Sequence, residues 1–282
     1  MMFHHKMKAE PMSKKKRGVA LVTGASSGIG LVTAQALRRD GYLVFGTSRK
    51  PMADTVDGVT MLICDVTDDA SVKNAVDEVL RRAGRIDLLV NNAGVGLLGG
   101  AEESTTEQAK ALFDVNVFGI IRMTNAVLPV MRGQQKGRIV NLSSILGLIP
   151  APFNGLYAST KHAVEGYSES LDHEVRTQGI RVVLVEPGLT RTAFEENLTR
   201  ADRPLSVYDK VRAGAEQLMR EAVAKGDAPE VVAEAVLKAA NATLPKRRYT
   251  AGKMAGQVRF IRRFLPETIV DKNLRKFNGL PA

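Results

Sequence analysis

The chain has 282 residues, 44% of them hydrophobic, one cysteine and a formal net charge of +10. That is enough length and apolar content for one large α/β domain, while the lone Cys64 rules out an intrachain disulfide and a cysteine-built zinc site. No apolar run reaches the roughly eighteen residues of a membrane span, and no apolar stretch of signal-peptide form follows the basic N-terminus, so a reducing, cytoplasmic setting is expected.

In chain order, residues 19–23 are a short apolar run that reads as a first strand. It ends in the glycine-rich turn Thr23-Gly24-Ala25-Ser26-Ser27-Gly28-Ile29-Gly30. Residues 29–39 have helical periodicity and stop at Asp40-Gly41. Strands are expected at 42–47 and 59–64. Asp65-Val66-Thr67-Asp68 then leads into a helix over 70–82, capped by Thr67 or Asp68. Residues 86–90 read as a fourth strand ending at Asn91-Asn92-Ala93-Gly94, and 106–131 as a long helix. A fifth strand is expected at 138–142, a long helix at 156–177 and a sixth strand at 180–185, ending at Pro187-Gly188. Residues 231–240 look helical again.

Strands that alternate with helices and read as continuous apolar runs belong to a buried parallel sheet. The expected fold is a single α/β domain, a doubly wound Rossmann-type sheet with helices on both faces. Residues 1–18 read as a flexible basic tail, 19–245 as the catalytic domain and 246–282 as a basic extension. Charge follows this division. Residues 1–18 carry a net +5, and 246–282 hold ten Lys/Arg against two acidic residues, a net +8, so the body is mildly acidic at −3. A nucleic-acid enzyme would carry its basic surface on the body, and no nucleic-acid partner is expected.

The chemistry lies in two places. Tyr157 and Lys161 are four residues apart, a spacing that puts both on one helix face. A neighbouring ammonium stabilises phenolate, so the Tyr157 pKa is expected to fall towards neutral, where a tyrosine serves as a general acid or base. Upstream, Gly24, Gly28 and Gly30 let the backbone turn tightly and let a pyrophosphate approach. The spacing is G-x-x-x-G-x-G, unlike the G-x-G-x-x-G of other dinucleotide folds. No metal-ligand constellation is present, and His162, beside Lys161, faces another side of the helix.

These motifs, with Asp65, Asn91 to Gly94, Asn116, Ser144 thirteen residues before Tyr157, and Pro187-Gly188, resemble the short-chain dehydrogenase/reductase family over residues 19–240. Within it the chain resembles the branch that includes hydroxysteroid and retinol dehydrogenases. The resemblance implies a catalytic set of Asn116, Ser144, Tyr157 and Lys161. Ser144 would hold the substrate oxygen, Tyr157 would pass the proton, and Lys161 would bond the nicotinamide ribose. Asn116 would hold a water that links the lysine to solvent. It also implies a dinucleotide site built from Gly24, Ser26, Ser27, Gly28, Ile29 and Gly30, with Ser48 and Arg49 beyond the second strand. Asp65 and Val66 would lie at the adenine, and Asn92, Ala93 and Gly94 along the ribose. Pro187, Gly188, Thr190 and Thr192 would lie by the nicotinamide. Asp65 has an equal claim as a helix cap.

Where NAD-binding folds place an acid on the ribose 2′-hydroxyl, this chain has Thr47-Ser48-Arg49-Lys50. Arg49 would attract a 2′-phosphate, so NADP(H) is favoured over NAD(H). The loops at 95–100, 145–154 and 189–208 carry Leu97, Leu98, Ile145, Leu146, Leu148, Ile149, Phe153 and Phe194, which points to an apolar ketone or alcohol substrate. A non-catalytic NADP(H) sensor and a nucleotide-sugar epimerase are the rival functions. The intact catalytic set argues against the first, and the short C-terminal segment against the second. Apolar excess on the two long helices predicts a homodimer or homotetramer. For residues 254–277 two roles compete: cover over the substrate entrance with the aromatic side chains buried, or a peripheral foot on a membrane.

Overall fold

A computed structural model of the chain describes residues 17–194 and 198–280. Most of the N-terminal tail therefore lies outside the described residues. Arg17 is tied to the body by a 2.7 Å ion pair with Asp40, and Gly18 opens the first strand.

The elements follow in order: β1 (Gly18–Val22), α1 (Gly28–Arg39), β2 (Tyr42–Ser48), β3 (Thr55–Val56), β4 (Val59–Ile63) and α2 (Asp69–Ala83). Then come β5 (Leu88–Asn91), β6 (Leu97–Leu98), α3 (Thr106–Phe113), α4 (Gly119–Gly133), β7 (Gly137–Leu142) and α5 (Gly155–Val175). The chain ends with β8 (Ile180–Pro187), β9 (Thr199–Arg200), α6 (Asp209–Ala224), α7 (Pro229–Asn241), β10 (Arg248–Ala251), α8 (Lys253–Phe264) and α9 (Glu267–Phe277). The main sheet has the order β10-β8-β7-β5-β1-β2-β4-β3. Every pairing in it is parallel except the short β3–β4 hairpin.

Side chains of a strand alternate between faces, and β1 shows the result. Val19 and Leu21 join a core with Val72 and Val76 of α2, Met123 and Val127 of α4 and Leu171 of α5. Ala20 and Val22 join the opposite core with Leu37 of α1 and Val232 and Val236 of α7. Both faces of the strands are thus dry, which is why they read as unbroken apolar runs.

The structure decides one open point of the sequence reading, the cap of α2, and departs from that reading elsewhere. The long helix is not uniform: Asp114–Phe118 is a π-helical turn between α3 and α4. The cap of α2 is Asp68, whose side chain accepts from the Ala70 amide at 2.8 Å. Residues beyond 245 supply β10, an edge strand of the main sheet paired with β8. Thr106–Gly133 is, by length and composition, a helix long enough to cross a membrane, but Met123, Val127 and Met131 are fully buried against the sheet.

Candidate active site

The ends of the parallel strands meet one large cleft, with a cavity volume of about 2360 Å³. Ligand sites in open α/β sheets collect at this edge. The glycine turn follows β1, Ser48 ends β2 with Arg49 just beyond, and Asp65 and Val66 follow β4. Asn92, Ala93 and Gly94 follow β5, Ser144 follows β7, and Pro187 and Gly188 close β8. Each of these lines the cleft, as do Ser26, Ser27, Ile29, Tyr157, Lys161, Thr190 and Thr192. Of the expected catalytic and cofactor residues, Asn116 alone stays off the cleft wall, and of the expected pocket residues Leu148 and Phe153 do not line it.

The glycine turn is shaped by close approach. Gly24 has φ 63° and Gly28 φ 53°, the left-handed region that disfavours side chains. A Cβ on Gly30 would lie 2.1 Å from the Gly24 carbonyl oxygen and 2.4 Å from Asn92 Nδ2. Asn92 braces the turn from below, its amide donating to the Thr23 and Gly24 carbonyls at 3.0 and 3.1 Å. Thr23 Oγ1 in return accepts from the Asn92 and Ala93 amides, both at 3.0 Å. The result is a rigid concave backbone at the N-terminus of α1, whose free amides suit a phosphate. The turn therefore fits a dinucleotide pyrophosphate.

At the end of β2, Arg49 and Lys50 both line the cleft and are exposed. The Ser48 hydroxyl is partly engaged, accepting from the Lys50 amide at 3.2 Å. Asp65 is not the helix cap. It accepts from the amide and hydroxyl of Thr67 at 2.9 and 2.8 Å, and these bonds hold its carboxyl below its ordinary range.

Around Tyr157 the sequence expectation needs correction. Lys161 is buried, its Nζ donating to the Leu142 carbonyl at 2.9 Å and standing 5.6 Å from the centre of the Tyr157 ring. Burial pushes the Tyr157 phenol up, not down, with the Ser144 hydrogen bond pulling partly the other way. The lysine is the perturbed group near neutrality: burial lowers it to about 8, against the pull of Glu165. The ring of Tyr157 packs on Phe194 at 5.9 Å. Ser144 also caps a short 3₁₀ turn by accepting from the Leu146 amide at 3.1 Å, whereas the buried Ser143 hydroxyl sits beside Glu165.

Asn116 is 1% exposed, which excludes a solvated helix position. Its Oδ1 accepts from the Val95 amide at 2.9 Å, and its Nδ2 donates to the Val95 carbonyl at 2.9 Å and to Thr160 Oγ1 at 3.2 Å. It ties the loop after β5 to the helix that carries Tyr157 and Lys161. The π turn is what aims it there.

Two further features escaped the sequence. Glu103, fully buried, accepts from the Gly100 and Leu205 amides at 2.5 and 2.7 Å and pairs with Arg212. It staples the loop after β5 to the segment before α6, although the strands β6 and β9 these walls share are only two residues each. Behind Lys161, Arg248 lies 2.8 Å from the buried Glu165 and 3.0 Å from the buried Glu186, and also pairs with Glu169. Nothing in local spacing links residues so distant in sequence.

A profile of the short chain dehydrogenase family matches residues 18–203. The chain belongs to the short-chain dehydrogenase/reductase family. It is 46% identical over 179 residues to a 3-ketodihydrosphingosine reductase of Bacteroides thetaiotaomicron, a match covering 64% of this chain and 66% of that one. It is 37% identical over 257 residues to human 17-beta-hydroxysteroid dehydrogenase type 1, covering 83% and 77%. A short-chain dehydrogenase structure from Streptomyces avermitilis superposes with a TM-score of 0.80 at 33% identity, covering 95% of this chain and 98% of that one. A Burkholderia phymatum member in complex with NAD gives 0.76 at 27% identity, covering 93% and 97%. The closed form of a serine dehydrogenase complexed with NADP+ gives 0.70 at 27%, covering 82% and 93%. Oxidoreductase chemistry with a nicotinamide cofactor goes with this short-chain dehydrogenase/reductase fold.

Proposed function

We propose that the chain is an NADP(H)-dependent enzyme that interconverts a ketone and an alcohol on a largely apolar substrate. The observation that carries this is the convergence of Ser144, Tyr157 and Lys161 on the same cleft as the glycine turn and Arg49. The nicotinamide supplies the hydride, or accepts it, when bound. Ser144 gives a hydrogen bond to the substrate oxygen as charge develops there, and Tyr157 delivers the proton from its phenol oxygen. A phenol held neutral by burial is in the right form for that donation. The Lys161 ammonium stabilises the phenolate left behind, and a lysine titrating near 8 can return the proton. Asn116 keeps the helix and the loop after β5 in register.

Arg49 supports the cofactor choice. A guanidinium standing where NAD-binding folds carry an acid favours a 2′-phosphate over a bare 2′-hydroxyl. The substrate class rests on the cleft's outer part, where Leu97, Leu112, Ile149, Met219, Ile261 and Leu274 face inward. Relatives named for a ketosphingoid and a hydroxysteroid agree with a large apolar body. A panel of ketones and alcohols with NADPH and NADH, followed at the nicotinamide absorbance, tests the proposal. Turnover of apolar ketones with NADPH is expected, and turnover confined to small polar substrates would sink the substrate assignment.

A further inference from the structure

The C-terminal helices have two unlike faces. Met254, Val258 and Ile261 of α8, with Val270 and Leu274 of α9, point into the cleft, so these helices wall the site as cover. Of the aromatic residues Phe277 also lines the cleft, but Phe260 and Phe264 do not. Phe260 is 60% exposed and Phe264 63%, their rings 4.9 Å apart on the outer side of α8. Leu265 and Ile269 extend the exposed strip into α9. Apolar side chains this open, side by side, mark a surface that is covered by something.

Beside the strip lies a second cavity, of about 450 Å³, lined by Lys246, Arg247, Arg248, Arg259, Arg263 and a single acid, Glu169. Arg248 is spent on the buried carboxylates behind it, and Arg247 reaches Glu169 at 3.8 Å. Among the described residues, no ion pair engages Lys246, Arg259 or Arg263. Arg259 stands near enough to the buried Glu186 to hold its carboxyl down, and Arg263 lies over the Phe264 ring at 5.8 Å. Paired aromatic side chains next to cations outside any ion pair make up the pattern of an interfacial helix: rings enter the headgroup–acyl boundary while cations meet lipid phosphates.

We propose that α8, α9 and the basic cavity beside them dock the protein on an anionic phospholipid bilayer, with Phe260 and Phe264 inserted and Arg259, Arg263 and Lys246 receiving the phosphates. A second copy of the chain is a poor occupant, because a segment of net +8 would face its like. The helices that touch lipid on one side wall the cleft on the other, so an apolar substrate passes from bilayer to site along them. That last step rests on the function proposed above; the docking itself does not.

The test is sedimentation of the full chain with vesicles, read without turnover. Binding is expected to vesicles of phosphatidylcholine and phosphatidylglycerol in equal parts at low salt, and to be lost with phosphatidylcholine alone or at high salt. The pair Phe260→Ser/Phe264→Ser and the pair Arg259→Gln/Arg263→Gln should each release the protein, with roughly five-fold weaker partition for each cation removed. Thermal melting and turnover of a water-soluble ketone are expected to stay at wild-type values in both variants. Absence of binding to the mixed vesicles would overturn the proposal. So would displacement by inorganic phosphate at constant ionic strength with no effect of the phenylalanine pair, which marks a simple anion pocket. Light scattering that shows these variants breaking up an oligomer would assign the strip to a second copy instead.

Discussion

Lys161 and Glu165 sit one turn apart on the buried face of α5, 7% and 5% exposed, with the ammonium turned to the cleft and the carboxylate turned back to Arg248. The carboxylate holds up a lysine pKa that burial alone would lower further. Glu165→Gln should therefore move the Lys161 titration below about 8 and shift the alkaline limb of the kcat–pH profile to lower pH by roughly half a unit to one unit. Glu165→Asp should restore part of the shift. An alkaline limb that stays in place in both variants would show that the pair is structural only.

Glu186 should make stability depend on pH. Burial, and next the neighbouring Glu165, raise its carboxyl from 4.5 to about 7. A carboxyl raised in the folded state favours folding below its unfolded value, and that advantage is lost as pH rises from 4.5 to 7. The full shift corresponds to roughly 3 kcal/mol. Lys161 acts in a separate window: lowered from 10.5 to about 8, it gains stability as pH rises between those values. Urea midpoints from pH 4.5 to 7.5 should fall in the wild type and flatten in Glu186→Gln. Parallel curves for the two proteins would contradict this.

Tyr157→Phe removes the phenol while the ring still packs on Phe194. A loss of roughly 10²–10⁴ in kcat is expected, with cofactor affinity within a few-fold of wild type. Stopped turnover together with lost cofactor binding would instead point to a collapsed cleft.

Arg49→Asp replaces a 2′-phosphate partner by a repelling carboxylate. The ratio of kcat/KM for NADPH over NADH should fall by about two orders of magnitude, the worth of roughly 2–3 kcal/mol for a charge-assisted bond. If the ratio holds, the 2′-phosphate is bound elsewhere, with Lys50 the next residue to test.

Phe118, in the π turn, is 48% exposed, and Phe113, Ile121, Ala163 and Tyr167 of the long helices are only partly buried. We expect these side chains to pair across a two-fold axis. Light scattering should give a dimer or tetramer, and Phe118→Lys should weaken it at micromolar concentration. A monomeric wild type would remove the basis for this assignment.

The parallel strands were legible because both their faces are dry, so each wrote itself as a continuous apolar run. The glycine turn was legible because backbone approaches backbone there, and only glycine fits at Gly30. The Tyr157–Lys161 pair was legible as a spacing, but its electrostatics were not. Desolvation raises the phenol, and burial is a property of the assembled cleft. The π turn at Asn116 is a shift in backbone bonding that leaves side-chain periodicity almost unmarked. β10 is a four-residue edge strand with only Ala251 fully buried, and α6 buries no residue outright, so neither carries the apolar signature that patterning detects.

The Glu103 staple has a bearing on how this protein can change. Its carboxylate binds Leu205 and Arg212 across 102 and 109 positions of sequence. The outer wall of the cleft is thereby made of two stretches that must be inherited together. Grafting the segment around α6 from a homologue with different substrate taste, without its matching residue at 103, strands a carboxylate in a dry wall or leaves a guanidinium without its mate. Swaps that carry both stretches should give folded chimeras with altered selectivity, while single-stretch swaps should give misfolded ones.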